Sequence, residues 1–253
     1  MKIDHPSTEQ LPALRALWQE AFGDGEAFLT IFEKTAFSPD RCRCAVMDGQ
    51  TVAALYWFDC SCYGERAAYL YAVATSKAYR GQGICAALMK NTHELLGSRG
   101  YTRAILVPGS EALFAFYGKL GYRSFGGMDE FSATPSTDGI ALRRVGISEF
   151  ALQRRLLLPA GSVIQEKENL RFLQAQAELY AAENLLLAAR REGETLLGIE
   201  LLGDASLAPR ILRALACREG RFRTPGSKKP LAMYLPLVNR ASAPPAYFGL
   251  AFD

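Results

Sequence analysis

VATSKAYRGQGICAALMK, residues 73–90, sets Arg80, Gly81 and Gly83 between an apolar run that reads as a strand and one that reads as a helix. A helix entered from a strand through glycines leaves its first backbone N–H groups unpaired, with the positive end of the helix dipole behind them. Gly81 and Gly83 permit positive φ and close backbone approach, and Arg80 adds a fixed charge able to grip phosphate. The turn is therefore a candidate anion site. It lacks the Gly-x-x-x-x-Gly-Lys-Ser/Thr spacing of a Walker loop. Gly81 to Ala86 does satisfy Gly-x-Gly-x-x-Gly/Ala, but a dinucleotide site also calls for an acidic residue about twenty positions later to hold the ribose. The next strand-like run, YTRAILVPG, carries none before Glu111.

Working outward, TEQLPALRALWQEAF (8–22) places Leu11, Leu14, Leu17, Trp18 and Phe22 at helical spacing, with Pro12 tolerable in a first turn. EAFLTIFEKTAF (26–37) follows as a shorter helix. RCRCAVMDGQTVAALYWFDCSCYGERAAYLYAVAT (41–75) reads as three strands joined by two-residue turns at Asp48-Gly49 and Tyr63-Gly64. Downstream, a helix runs from about Ile84 to Leu96 and stops at Gly97 and Gly100. YTRAILV is a short buried strand. SEALFAFYGKL (110–120) is a helix capped by Ser110 and closed by Gly121 before an apolar run resumes. The order is α-α-β-β-β-α-β-α-β.

The run VATSKAYRGQGICAALM resembles the acetyl-CoA-binding motif of the GCN5-related N-acetyltransferases (GNAT), written Gln/Arg-x-x-Gly-x-Gly/Ala. Arg80, Gly81, Gln82, Gly83 and Ile84 occupy it in order, and Cys85 stands where that family has glycine or alanine. LFAFYGKLGYR (113–123) resembles the family's later FY-x-K-x-GF segment, so the likeness spans roughly residues 5 to 130. It implies a GNAT fold, a mixed but mostly antiparallel central sheet flanked by helices. It also implies transfer of an acetyl group from acetyl-CoA directly to a primary amine of a small molecule or peptide. The pyrophosphate would sit on the amides from Arg80 to Cys85. The pantetheine arm would pair with the backbone of Val73, Ala74 and Thr75. Tyr117 matches the tyrosine that gives a proton to the departing sulfur. The general base is open between Glu65, the C-terminal carboxylate at Asp253, and water, because Ala67 occupies the position of the glutamate that some relatives carry. A non-enzymatic acyl-CoA-binding or regulatory protein is the alternative reading.

FSATPSTDG (131–139) breaks the pattern and marks the expected domain boundary, giving units 1–135 and 140–253. The second contains helical runs at 150–158 and 168–180, a hairpin over ENLLLAARREGETLLGIELLG (183–203) and a helix near 207–217. Strands at 231–238 and 246–252 complete it. This outline repeats the first unit without the cofactor turn, as a smaller α/β GNAT-like module. The basic run RFRTPGSKK (221–229) reads as a solvated loop or as an attractor for an acidic acceptor or the 3′-phosphate of coenzyme A.

Composition narrows the classes further. With 49% hydrophobic and 22% charged residues the chain is of globular type, and 29 basic against 26 acidic residues is too even to indicate nucleic acid. The N-terminus lacks a signal pattern and no stretch is long enough to span a membrane, so a cytoplasmic protein is expected. Its six cysteines then read as reduced thiols. Cys42/Cys44 and Cys60/Cys62 resemble half-sites for zinc. A simple hairpin, however, puts Cys44 opposite Ala53 and Cys42 opposite Leu55, away from Cys60 and Cys62, and no metal site is expected. His93 is expected to pack or be solvated, and His5 has no evident partner.

Overall fold

The computed structural model describes residues 1–238 and 243–252. The first half runs β1 (Lys2–Asp4), α1 (Leu11–Phe22), α2 (Glu26–Thr35), β2 (Cys42–Met47), β3 (Gln50–Cys62), β4 (Glu65–Thr75), α3 (Ile84–Ser98), β5 (Arg103–Leu106), α4 (Glu111–Lys119) and β6 (Arg123–Phe125). Then follow β7 (Met128–Ala133), β8 (Arg143–Arg144), α5 (Ile147–Leu157), β9 (Ile164–Gln165), α6 (Glu168–Gln174), β10 (Glu178–Ala182), β11 (Leu185–Glu192), β12 (Thr195–Gly203), α7 (Ala208–Ala214), β13 (Glu219–Pro225) and β14 (Ala232–Pro236).

Local chemistry accounts for the first half closely. Pro12 sits in the first turn of α1, and Gly23 closes it with φ +77° and an N–H bond to the Gln19 carbonyl. The Asp48-Gly49 and Tyr63-Gly64 turns both have positive φ at both positions, as two-residue hairpins require. The Ser110 hydroxyl accepts from the Leu113 N–H at 3.4 Å and starts α4.

An eight-stranded sheet takes the order β1-β2-β3-β4-β5-β14-β6, with β9 continuing the edge of β3; a six-stranded sheet takes the order β7-β13-β12-β11-β10-β8. Among the described residues, β4–β5 and β12–β13 are the parallel pairs. One face of the larger sheet packs on α1 and α2 through Leu14, Trp18 and Phe32, and on Phe172 and Phe248 from the second half of the chain. The other face packs on α3 and α4 through Leu88, Met89 and Tyr117. The smaller sheet carries α5, α6 and the tail beyond residue 242 on one face and α7 on the other.

Five sequence expectations need correction. A register shift at Ala45/Val46 leaves Val52 unpaired, so Cys44 faces Ala54 and Cys42 faces Tyr56, one residue beyond the simple hairpin. The helix expected over 168–180 stops at Gln174, because Leu179–Ala182 pair across the Asn184 turn with Leu185–Ala188. Residues 246–252 are irregular yet buried at Tyr247, Phe248, Leu250 and Ala251. Arg221–Pro225 form strand, not loop. The sheets, finally, do not divide at 136–139: β14 pairs β5 and β6 in the first sheet, while β7 pairs β13 in the second. The two halves exchange strands, which local pattern does not encode.

The connectivity repeats. β2-β3-β4-α3-β5 and β10-β11-β12-α7-β13 are each two antiparallel hairpins followed by a helix and a parallel strand. Between β12 and α7, however, Asp204 caps the Ser206 N–H at 2.9 Å and Pro209 stands in the first turn. An anion arriving there meets a carboxylate and finds one amide fewer.

Candidate functional site

The site begins where two parallel strands part. β4 and β5 pair through Ala67–Arg103, Ala68–Ala104 and Tyr69–Ile105 and no further. On its other side β4 carries a bulge: Tyr71 faces Tyr56 and Ala74 faces Ala54, so Ala72 and Val73 share Leu55, and Ala72 takes φ +48°. A bulge bends and twists its strand. It thereby carries residues 70–75 away from β5 and leaves their β5-side backbone groups facing the gap.

At the end of that strand lie the residues singled out by sequence. Val73 is half-buried, Ala74 is buried, and the Thr75 carbonyl accepts from Arg80 Nε at 3.1 Å. The Thr75 hydroxyl is buried, with the Cys85 thiol as its neighbour. A short 3-10 turn, Lys77–Tyr79, is held by the Lys77 N–H on Glu20 Oε1 at 2.7 Å. Gly81 and Gly83 then take φ +77° and +76°, and a Cβ at either would meet nothing within 4 Å. Glycine is needed here for the left-handed backbone, and the space above it is open. No side chain caps α3, so the amides of Ile84 and Cys85 at its start are available to an anion. Arg80, Gly81, Gln82 and Gly83 are all exposed around them. The cradle fits a pyrophosphate: open amides, a dipole end and a guanidinium.

Tyr117 projects from α4 and is 6% exposed. Burial, with the nearby Cys85 thiol as a smaller cause, pushes its phenol well above the ordinary tyrosine value. Cys85 itself is pushed up to about 11 by burial. Tyr117 lines a cleft of about 930 Å³ together with Ala72, Val73, Val107 and Leu113. The cleft extends past Trp18, Phe22, Asp24 and Phe28 of the α1–α2 region to Arg190, Ile199, Arg221 and Arg223 of the smaller sheet, and to Ala251 and Phe252.

Several expectations fall elsewhere. Glu65 is bonded to buried Arg103 at 3.0 Å, at the start of β4 and so at the far end of the strand from the bulge, which removes it as a base. Asp253 lies outside the described residues. Lys228 and Lys229 of the basic run pair with Asp129 and Glu130. His93 packs, with Nε2 at 2.7 Å from the Tyr122 hydroxyl, and burial lowers its pKa to about 4. His5 has partners after all: Nδ1 lies 2.9 Å from the Cys42 carbonyl and Nε2 3.0 Å from Arg99 Nη2. Among the described residues no group of His, Cys, Asp or Glu could hold a metal ion, and no helix is long and apolar enough to cross a membrane.

Two features escaped the sequence reading. Asp24, which accepts from Trp18 Nε1 at 2.8 Å, lines the cleft beside the aromatic side chains of α1 and α2. Its signal was present as the carboxylate of the Gly-Asp-Gly break, which reads first as a helix stop. The Ala72 bulge has no side-chain signature at all.

The family model described as "Acetyltransferase (GNAT) domain" matches residues 2–125. Among solved structures, a GCN5-related N-acetyltransferase from Kribbella flavida is 18% identical over 92% of this chain and 70% of that one, with a TM-score of 0.71. One from Anabaena variabilis is 16% identical over 94% and 73%, with a TM-score of 0.73. A tandem GNAT protein from the clavulanic acid biosynthesis pathway, in a structure without acetyl-CoA, is 11% identical over 94% and 100%, with a TM-score of 0.56. At these identities the likeness is one of fold. No curated protein sequence matches significantly. Residues 2–125 thus match an acetyltransferase domain of the GNAT type, and the chain shares the fold of GCN5-related N-acetyltransferases along nearly its whole length.

Proposed function

We propose that the protein moves an acetyl group from acetyl-CoA directly to a primary amine of a small molecule or peptide. The observation that carries this reading is the alignment of three features on one path: the open amides before α3, the parting of β4 from β5, and Tyr117 in the cleft where the strands part. Residues Arg80 to Cys85 hold the pyrophosphate. The backbone of Val73, Ala74 and Thr75 pairs with the pantetheine amides. Acetyl-CoA supplies an acyl carbon activated as a thioester.

As the amine nitrogen bonds to that carbon and the carbon–sulfur bond breaks, two protons move. The Tyr117 hydroxyl gives one to the sulfur, and its burial keeps that proton in place until charge develops nearby. Asp24 receives the ammonium end of the acceptor; water carries off one proton to leave the neutral amine that attacks, and the second proton, lost from nitrogen as the amide forms, passes through water to restore the Tyr117 hydroxyl. Trp18 holds the Asp24 carboxylate toward the cleft.

Calorimetric titration with acetyl-CoA, beside NADH and ATP, tests the first half of this reading. Selective binding in the micromolar range, lost in Arg80→Ala/Gly83→Asp, is expected. Binding of NADH instead would return the turn to the dinucleotide reading. Turnover against a panel of amines tests the second half. Acetyl-CoA binding with no turnover across the panel would favour a binding protein over an enzyme.

A further inference from the structure

The cleft wall facing the β4–β5 gap belongs to the smaller sheet, and the register of that sheet sets two arginines in one row. Arg190 of β11 is the partner of Leu197 in β12, and Leu197 is the partner of Arg221 in β13. Directly paired residues share a sheet face. Arg190 and Arg221 therefore flank Leu197 on the side that lines the cleft, two strand spacings or about 10 Å apart.

The other charges on the cleft leave this row cationic. Arg190 is bonded to Glu192 at 3.0 Å, an exposed pair of small worth. Glu130 is the register partner of Arg223 and is itself bonded to Lys229 at 3.1 Å. Asp24 belongs to the opposite wall and is engaged by Trp18. Among the described residues no ion pair or hydrogen bond engages the Arg221 guanidinium. Arg190 and Arg221 are both exposed, so an incoming anion meets them without first breaking a buried contact.

We infer that the acceptor is an amine that also carries an anionic oxyacid group, a carboxylate or a phosphate, which docks on Arg221 and Arg190 while the amine end lies toward Asp24 and Tyr117. This rests on the transferase reading. Between the two ends the cleft offers an apolar and aromatic lining, Phe28, Leu173, Leu197 and Ile199 among it. That lining suits a spacer with little polarity. A guanidinium also grips carboxylate and phosphate through paired N–H groups, whereas a neutral amide at the same place gains no ionic term.

Matched probes test this: 4-(aminomethyl)benzoate, its neutral amide, and the corresponding phosphonate. With acetyl-CoA saturating, kcat/KM for the anionic probes should exceed that for the amide by about fivefold, the scale of an exposed ionic contact. The preference should disappear in Arg221→Gln, reverse in Arg221→Glu, and shrink as salt is raised. Acetyl-CoA affinity in each variant serves as the control for folding. A preference for either anionic probe that depends on Arg221 supports the inference, and the ratio of the two tells carboxylate from phosphate. No preference, or one that survives Arg221→Glu, overturns it while leaving the transferase reading intact. Should acetyl-CoA itself fail to bind, the transferase reading falls instead. Ligand-observed NMR of the three probes then still reads the arginines directly.

Discussion

At Tyr117 the same side chain serves two ends. Its ring completes the packing of α4 against Phe116 and Tyr122, and its hydroxyl borders the cleft. A phenylalanine keeps the packing and removes the proton, so Tyr117→Phe should fold with unchanged stability and lose about a hundredfold in kcat. Because burial raises the phenol above its ordinary value, the neutral form persists to higher pH. The rate should therefore climb with pH as the acceptor amine is deprotonated, and show no alkaline fall below pH 10. His93 makes the contrasting case. Its pKa falls from 6.5 to about 4 on folding, so between those values the unfolded chain binds a proton that the native chain refuses. Stability from this residue is full above pH 6.5 and is lost as pH falls toward 4. Urea midpoints measured at pH 7 and pH 5 should differ less in His93→Gln, which can keep a bond to Tyr122. The types and positions of Arg80, Gly81, Gly83 and Tyr117 were legible because each is needed as a chemical type. Asp24 was overlooked because a carboxylate between two glycines is also what a helix stop looks like.

The elements that make the site are a strand that bends and a helix with no cap. Ala72 holds a left-handed backbone without being glycine, a conformation maintained by the pairing of β4 with β3 on either side of it. A β-branched residue there is a severe misfit. Ala72→Val should cost about 1–2 kcal/mol in thermal or urea unfolding and weaken acetyl-CoA binding as the strand straightens; Ala72→Gly should do neither. Apolar alternation found β2, β3 and β4 from sequence alone, yet it is blind to bulges. The one at Val52 moved two cysteines by a residue, and the one at Ala72 opened the cleft. Strand β13 was missed for a related reason. Arg221 and Arg223 alternate with Gly220 and Phe222, and a strand whose outward face borders a polar cleft reads like a basic loop.

For the molecule as a whole, the unexpected feature is the way the tail is anchored. Arg154 and Glu200, both almost fully buried, bond at 2.6 and 2.9 Å, and Gln165 links them to the tail through Leu250. A Cβ on Gly249 would lie 1.6 Å from Glu200 Oε1. Gly249→Ala should therefore force the pair apart and cost on the order of 3–5 kcal/mol in urea unfolding. The tail also touches the first sheet, with the Phe248 ring 4.7 Å from that of Tyr69. No periodic pattern marks residues 246–252, and their apolar side chains read as one more strand.

The exchange of β7 for β14 bears on how the chain is made. During synthesis β1 to β6 leave the ribosome more than a hundred residues ahead of the segment that fits between β5 and β6. Until Ala232–Pro236 arrive, Arg103–Leu106 present an open edge, a template for pairing with other nascent chains. Closing that edge joins residues distant in sequence, which makes it a slow step. Yield in the cell should depend on chaperone supply and growth temperature more than final stability would suggest, and the glycine turn before α3 can be complete while the sheet beneath it still waits for its last strand.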